Sequence, residues 1–161
     1  MGRASRDKGA RGERELAKVL GELTGLEWRR GVSQSRHGGA EGADVECVDV
    51  EVWNDWHIEV KRRKDRVDLH AAMVQACADA EGRDCSPVVI WRVDRQPWRV
   101  TVRAGDLAID TISTGLVGWH QKSSGGHPPQ WRAWDGEYAA LVTLDLQAWL
   151  ALVCYWWKVS R

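Results

Sequence analysis

The run WHIEVK, residues 56–61, changes side-chain character at every step. In an extended chain Ile58 and Val60 fall on one face, and His57, Glu59 and Lys61 fall on the other. That period of two predicts a β-strand with an apolar face for a core and a second face carrying an acid and a lysine two residues apart. Arg62, Arg63, Lys64 and Arg66 follow directly. Two readings of these charges are open: a solvated strand end, or half of a site that works on a phosphate backbone.

The neighbouring segments supply a fold for this strand. Gly9–Thr24 reads as a helix, with Leu16, Ala17, Leu20 and Leu23 as its apolar stripe and Gly25 as its stop. Trp28–Val32 reads as a short strand, and Ser33–Gly42, rich in Gly and Ser, as a loop that delivers the chain to Asp44. From Asp44 the strand DVECVDVEVW reaches a turn at Asn54-Asp55, so Asp44–Lys61 is expected to form a β-hairpin. Asp68 is placed to cap a helix from Leu69 to Glu81, with Leu69, Met73, Ala76, Cys77 and Ala80 as its stripe and Gly82 after it. PVVIWRV and WRVTV form two further strands around a turn at Asp94–Pro97. The order helix, hairpin, helix, two strands predicts an α/β sandwich with a mixed sheet, in a single domain of 161 residues.

Beyond Arg103 the pattern is weaker. A loop at 115–136 precedes a strand in YAALVTL and a terminal helix at about 145–158. That helix is apolar on nearly every side, so it is buried in its own core or against another subunit. The eleven tryptophans and the absence of Phe favour a core habit over a base-stacking array.

Composition narrows the function classes. Hydrophobic residues at 43% and charged residues at 29% describe a globular chain, and the longest apolar stretch, AWLALVCYWW, is too short for a membrane span. The cationic opening has no apolar run behind it, and Arg6 stands where a myristoylation signal needs Ser or Thr. A cytoplasmic protein with reduced thiols is expected, since the four cysteines form no C-x-x-C pair and the five histidines lack zinc spacing with them. No small-molecule cofactor and no membrane partner are expected.

The net charge of zero hides a distribution. Arg3, Arg6, Lys8 and Arg11 crowd the first segment, Arg29, Arg30 and Arg36 follow, and Arg62, Arg63 and Lys64 form a third group. Between the last two groups lies an acidic block from Glu41 to Glu59. Basic patches around acids suit a site that cuts a phosphodiester, with these cations contacting DNA. Alternation of charge between the faces of a domain would produce part of the same pattern.

Phosphodiester hydrolysis uses a divalent cation to bind non-bridging oxygens and acidify a water. Mg2+, with Mn2+ able to substitute, takes hard oxygen ligands, and one or two carboxylates plus a carbonyl suffice. Asp44 and Glu59 supply carboxylates and the Val60 backbone carbonyl lies between Glu59 and Lys61. Lys61 is placed to handle the attacking water and the developing charge. Glu13 sits on or beside the first helix's core stripe, where a carboxylate needs a cation or a metal beside it. An acid near a helix start is also favourable to the dipole, so both readings of Glu13 stay open.

KGARGERELAKVL, GADV and IEVKRRK resemble the PD-(D/E)XK nuclease superfamily, and within it the archaeal-type (Hjc-like) Holliday junction resolvases and their phage-encoded relatives. The resemblance spans roughly Lys8 to Val102 and implies a restriction-endonuclease-like mixed sheet flanked by helices. It implies catalytic roles for Glu13, Asp44, Glu59 and Lys61, with Glu13 joining the metal ligands Asp44 and Glu59. A loop serine beside the junction phosphate is also implied, Ser33 being favoured over Ser35. It further implies a homodimer that resolves four-way double-stranded DNA junctions by paired nicks. Ala43 stands where the family has proline, and residues 104–161 have no counterpart, which leaves them as an interface or DNA-contacting extension. Gln75 is either a site-facing glutamine or a solvated one. Two alternatives remain: a nickase, flap or repair nuclease of the same superfamily, and a non-catalytic DNA-binding accessory.

Overall fold

The computed structural model describes residues 3–31, 42–49, 53, 55–83, 85–107 and 141–159, with side chains from Gly9 in the first helix to Val153 in the last. Its elements are α1 (Arg3–Thr24), β1 (Trp28–Arg30), β2 (Val45–Cys47), β3 (Trp56–Arg63), α2 (Leu69–Ala80), β4 (Ser86–Val93), β5 (Arg99–Arg103), a 3-10 turn (Ala104–Leu107), β6 (Leu141–Asp145) and α3 (Leu146–Val159). The α/β reading holds: a mixed four-stranded sheet ordered β3-β4-β5-β6 is flanked by three helices.

β3 and β4 run parallel, with Glu59 opposite Val89 and Lys61 opposite Trp91, and the remaining pairs are antiparallel. A parallel pair needs a long crossover, which α2 provides. Asp68 starts α2 as expected, its carboxylate accepting from the Ala71 amide at 3.0 Å, and Gly82 follows the helix at φ +79°. Each face of the sheet then has a helix to bury. Ile58, Val88, Ile90, Val100 and Val102 pack with Leu16 and Leu20 of α1 and Trp149, Leu150 and Val153 of α3. On the opposite face Val89 meets Ala72, Met73 and Ala76 of α2. Burying a side chain of this size stabilises by about 1.5–3 kcal/mol before conformational entropy is subtracted.

Two expectations change, in the start of α1 and in the hairpin, and the readings of the terminal helix and of the tryptophans are sharpened. α1 begins at Arg3, ahead of Gly9, because its basic first turns carry no helix breaker besides Gly9 itself. The hairpin is not a two-stranded ladder: β2 pairs antiparallel with β1, Trp28 opposite Cys47, while β3 pairs with β4. Contact between the two expected arms survives as a backbone hydrogen bond from the Asp44 amide to the Ile58 carbonyl, 2.8 Å long. The terminal helix packs one face against this chain's own sheet, through Leu146, Trp149, Leu150 and Val153. Trp28, Trp53, Trp56 and Trp149 pack edge-on or tilted with centroids 5.0–5.7 Å apart, so these four rings serve the core. The expected loop at 115–136 lies outside the described residues.

Candidate active site

Asp44 is anchored by its own backbone. Its amide donates to Ile58, its carbonyl accepts from the Gly31 amide at 2.9 Å, and its Oδ2 accepts from the Val60 amide at 2.7 Å. The residue therefore links the end of β1 to the middle of β3. Gly31 permits the approach: a Cβ there would stand 1.9 Å from the Ala43 carbonyl oxygen. Val60 enters this network through its amide, where sequence reasoning drew attention to its carbonyl.

Glu59 and Lys61 share a face, as the alternation predicts, and the Lys61 ammonium is paired with the Glu59 carboxylate. A second bond runs from Lys61 Nζ to Gln75 Oε1 on α2, at 2.8 Å, and the Gln75 amide reaches Asp79 Oδ2 at 3.4 Å. Gln75 is thus a site-facing glutamine, although its side chain is exposed. Glu13 is 7% exposed and takes the guanidinium of Arg30 as its cation partner. A carboxylate on the core stripe of α1 is tolerated because β1 brings that arginine to it.

Three acids therefore converge. Asp44, 6% exposed, is pushed up to about 8 by burial first and then by the charge of Glu59, with Glu13 adding to the push and the Val60 amide and Lys61 opposing it. Glu59 is raised by burial, against the hydrogen bond and charge of Lys61, while Asp79 and Glu13 push it the same way as burial. Such a cluster carries more negative charge than Arg30 and Lys61 offset, and it is rich in hard oxygen donors. Those are the properties of a divalent-cation site.

His57 lies on the same face and is 2% exposed. Burial lowers its pKa, the charge of Arg83 lowers it further, and Asp79 opposes both. His57, Glu59 and Asp79 each offer a ligand atom within 4.8 Å of the others. Asp79 escaped sequence reasoning, yet a signal was present, since it follows Gln75 by four residues on the same helix face.

The expected DNA-contacting cations divide. Arg62 is paired within the chain, to Glu15 at 2.9 Å and to Asp94 at 3.0 Å, with Arg92 sharing Glu15. Arg29 pairs with Glu46 at 3.5 Å but stays half exposed, and Arg30 serves Glu13. Arg11, Arg63 and Lys64 are exposed. Arg3, Arg6 and Lys8 lie on the first turns of α1, where only the backbone is described, and Ser33, Ser35 and Arg36 lie outside the described residues.

The family model described as "Phage putative PDDEXK endonuclease" matches residues 4–124. Protein D14 of Escherichia phage T5 is 25% identical over 122 residues, which cover 67% of this chain and 76% of that protein. Among solved structures, the Holliday junction resolvase Hjc of Archaeoglobus fulgidus matches with 22% identity and a TM-score of 0.41, covering 56% of this chain and 72% of that one.

Proposed function

Because this chain belongs to the phage PDDEXK endonuclease family, we propose that it is a metal-dependent, structure-selective endonuclease that resolves four-way DNA junctions. The observation that carries the reading is the meeting of Asp44, Glu59 and Lys61 on and beside β3, with Asp44 held by the Val60 amide. The donor set fits Mg2+ or Mn2+: Asp44 and Glu59 would hold the ion, with Glu13 and the Val60 carbonyl as further oxygen donors. When bound, such an ion supplies charge neutralisation at the scissile phosphate and a more acidic water.

The chain's own groups do the rest. Lys61 has three N–H donors, and Glu59 and Gln75 each take one, leaving the third to hold the attacking water or the developing phosphorane oxygen. Gln75 fixes the ammonium from the α2 side, so Lys61 is aimed from two elements. Arg30 neutralises Glu13 and lowers the repulsion among the acids. Exposed Arg11, Arg63 and Lys64 are suited to phosphates on either side of the cut.

Junction choice is supported by the Hjc-like order of KGARGERELAKVL, GADV and IEVKRRK along the chain. A homodimer presenting two such sites would give paired nicks. Comparing a four-way junction with flap, nicked and linear duplexes under Mg2+ tests this choice. Symmetric nicks near the branch point are expected. Faster cutting of flap or linear DNA would replace the junction reading with that of a repair-type nuclease, and tight binding without cutting would favour the accessory.

A further inference from the structure

We propose that His57, Glu59 and Asp79 form a second cation site, one that takes a transition-metal dication of the Zn2+ or Mn2+ class. His57 and Glu59 are two residues apart on one face of β3, and Asp79 is brought to that face by α2. Their ligand atoms already lie within 4.8 Å of one another. Ligands of a single zinc sit about 2.0–2.2 Å from the ion, so small side-chain rotations close the set.

A separate observation points to a ligand. His57 is 2% exposed, and its Nε2 is buried with no hydrogen-bond partner among the described residues. Buried polar atoms are rarely left unpaired, because the lost solvation costs about 1–3 kcal/mol. A metal ion would satisfy an imidazole nitrogen that no group among the described residues reaches. One imidazole with two carboxylates is a donor set that transition metals prefer over Mg2+, whose ligands are oxygens. Glu59 has two carboxylate oxygens, so one can stay with Lys61 while the other turns toward His57 and Asp79. Asp79 accepts a 3.4 Å contact from Gln75, a weak bond to displace.

The site shares Glu59 with the Asp44 cluster but takes its other two ligands, His57 and Asp79, from outside it, and it stands whether or not the chain cuts junctions. Zn2+ binding to the full chain is measured by equilibrium dialysis in a large excess of Mg2+, alongside histidine side-chain NMR. The expected result is retained Zn2+, a shift of the His57 ring nitrogens, and roughly tenfold or greater weakening in both His57→Gln and Asp79→Asn. Asp44→Asn is expected to keep the ion. If His57→Gln does not fold, as judged by circular dichroism, Asp79→Asn on the accessible side of α2 carries the comparison. Absence of Zn2+ retention by the wild-type chain overturns the proposal. So does binding that survives Asp79→Asn but is lost in Asp44→Asn, which would put the ion among the nuclease acids. Mg2+-dependent cleavage is scored separately, so its failure is not confused with this one.

Discussion

The carboxylate of Asp44 accepts the backbone amide of Val60 at 2.7 Å, which ties an acid on one strand to the residue between Glu59 and Lys61 on another. A backbone donor cannot rotate away, so this bond fixes the position of the Asp44 carboxylate. The cost is a buried acid held beside two others. Asp44→Asn keeps an acceptor for Val60 and removes the repulsion. We expect cleavage to fall by at least about a hundredfold while the chelated protein gains on the order of 1 kcal/mol. Urea denaturation and a nicking assay on the same preparations check the pair of outcomes.

The same repulsion sets a pH dependence. Asp44 rises from 3.8 to about 8 on folding without metal, so between those values the folded chain keeps a proton that the unfolded chain has released. Raising the pH through this window therefore favours unfolding. Glu59 and Asp106 are raised too, each by burial first, and act with the same sign. Melting in EDTA should show stability declining from about pH 4 to about pH 8, and Asp44→Asn should flatten the slope. A stability that climbs across that range would contradict the clustered acids.

Gly31 is a second structural test. A methyl group there would lie 1.9 Å from the Ala43 carbonyl oxygen, so the backbone leading into Asp44 must move. Gly31→Ala is expected to cost about 1–3 kcal/mol and to weaken cleavage beyond what lost folding explains. Comparing activity per folded molecule with the denaturation midpoint separates the two effects.

Gln75 is exposed and outside the core, so its loss should leave the fold intact. Its contact with Lys61 predicts a roughly tenfold lower kcat for Gln75→Ala with KM little changed. Gln75→Glu should recover part of the rate, since a carboxylate also accepts from the ammonium.

Much of this arrangement was legible because it is local. Alternation in WHIEVK put Glu59 and Lys61 together, and the Asp68 cap, the Gly82 stop and the Asp94–Pro97 turn mark their elements without tertiary help. The rest is non-local. β2 was expected to pair with its sequence neighbour β3, but three residues of β1 claim it instead, and periodicity carries no information on partner choice. Arg62 stands in a basic run, and its partners Glu15 from α1 and Asp94 just past β4 come from distant parts of the chain that periodicity does not bring together. Glu13 has its cation from β1, seventeen residues on, which the helix's own pattern does not reveal.

The most direct measurement is single-turnover cleavage of a synthetic four-way junction in Mg2+ by the wild-type chain, Glu59→Ala and Lys61→Ala. Paired nicks by the wild-type chain and a loss of at least about a hundredfold in each variant are predicted. No cleavage by the wild-type chain, or undiminished cleavage by either variant, would contradict the assignment of Glu59 and Lys61 to the cutting site.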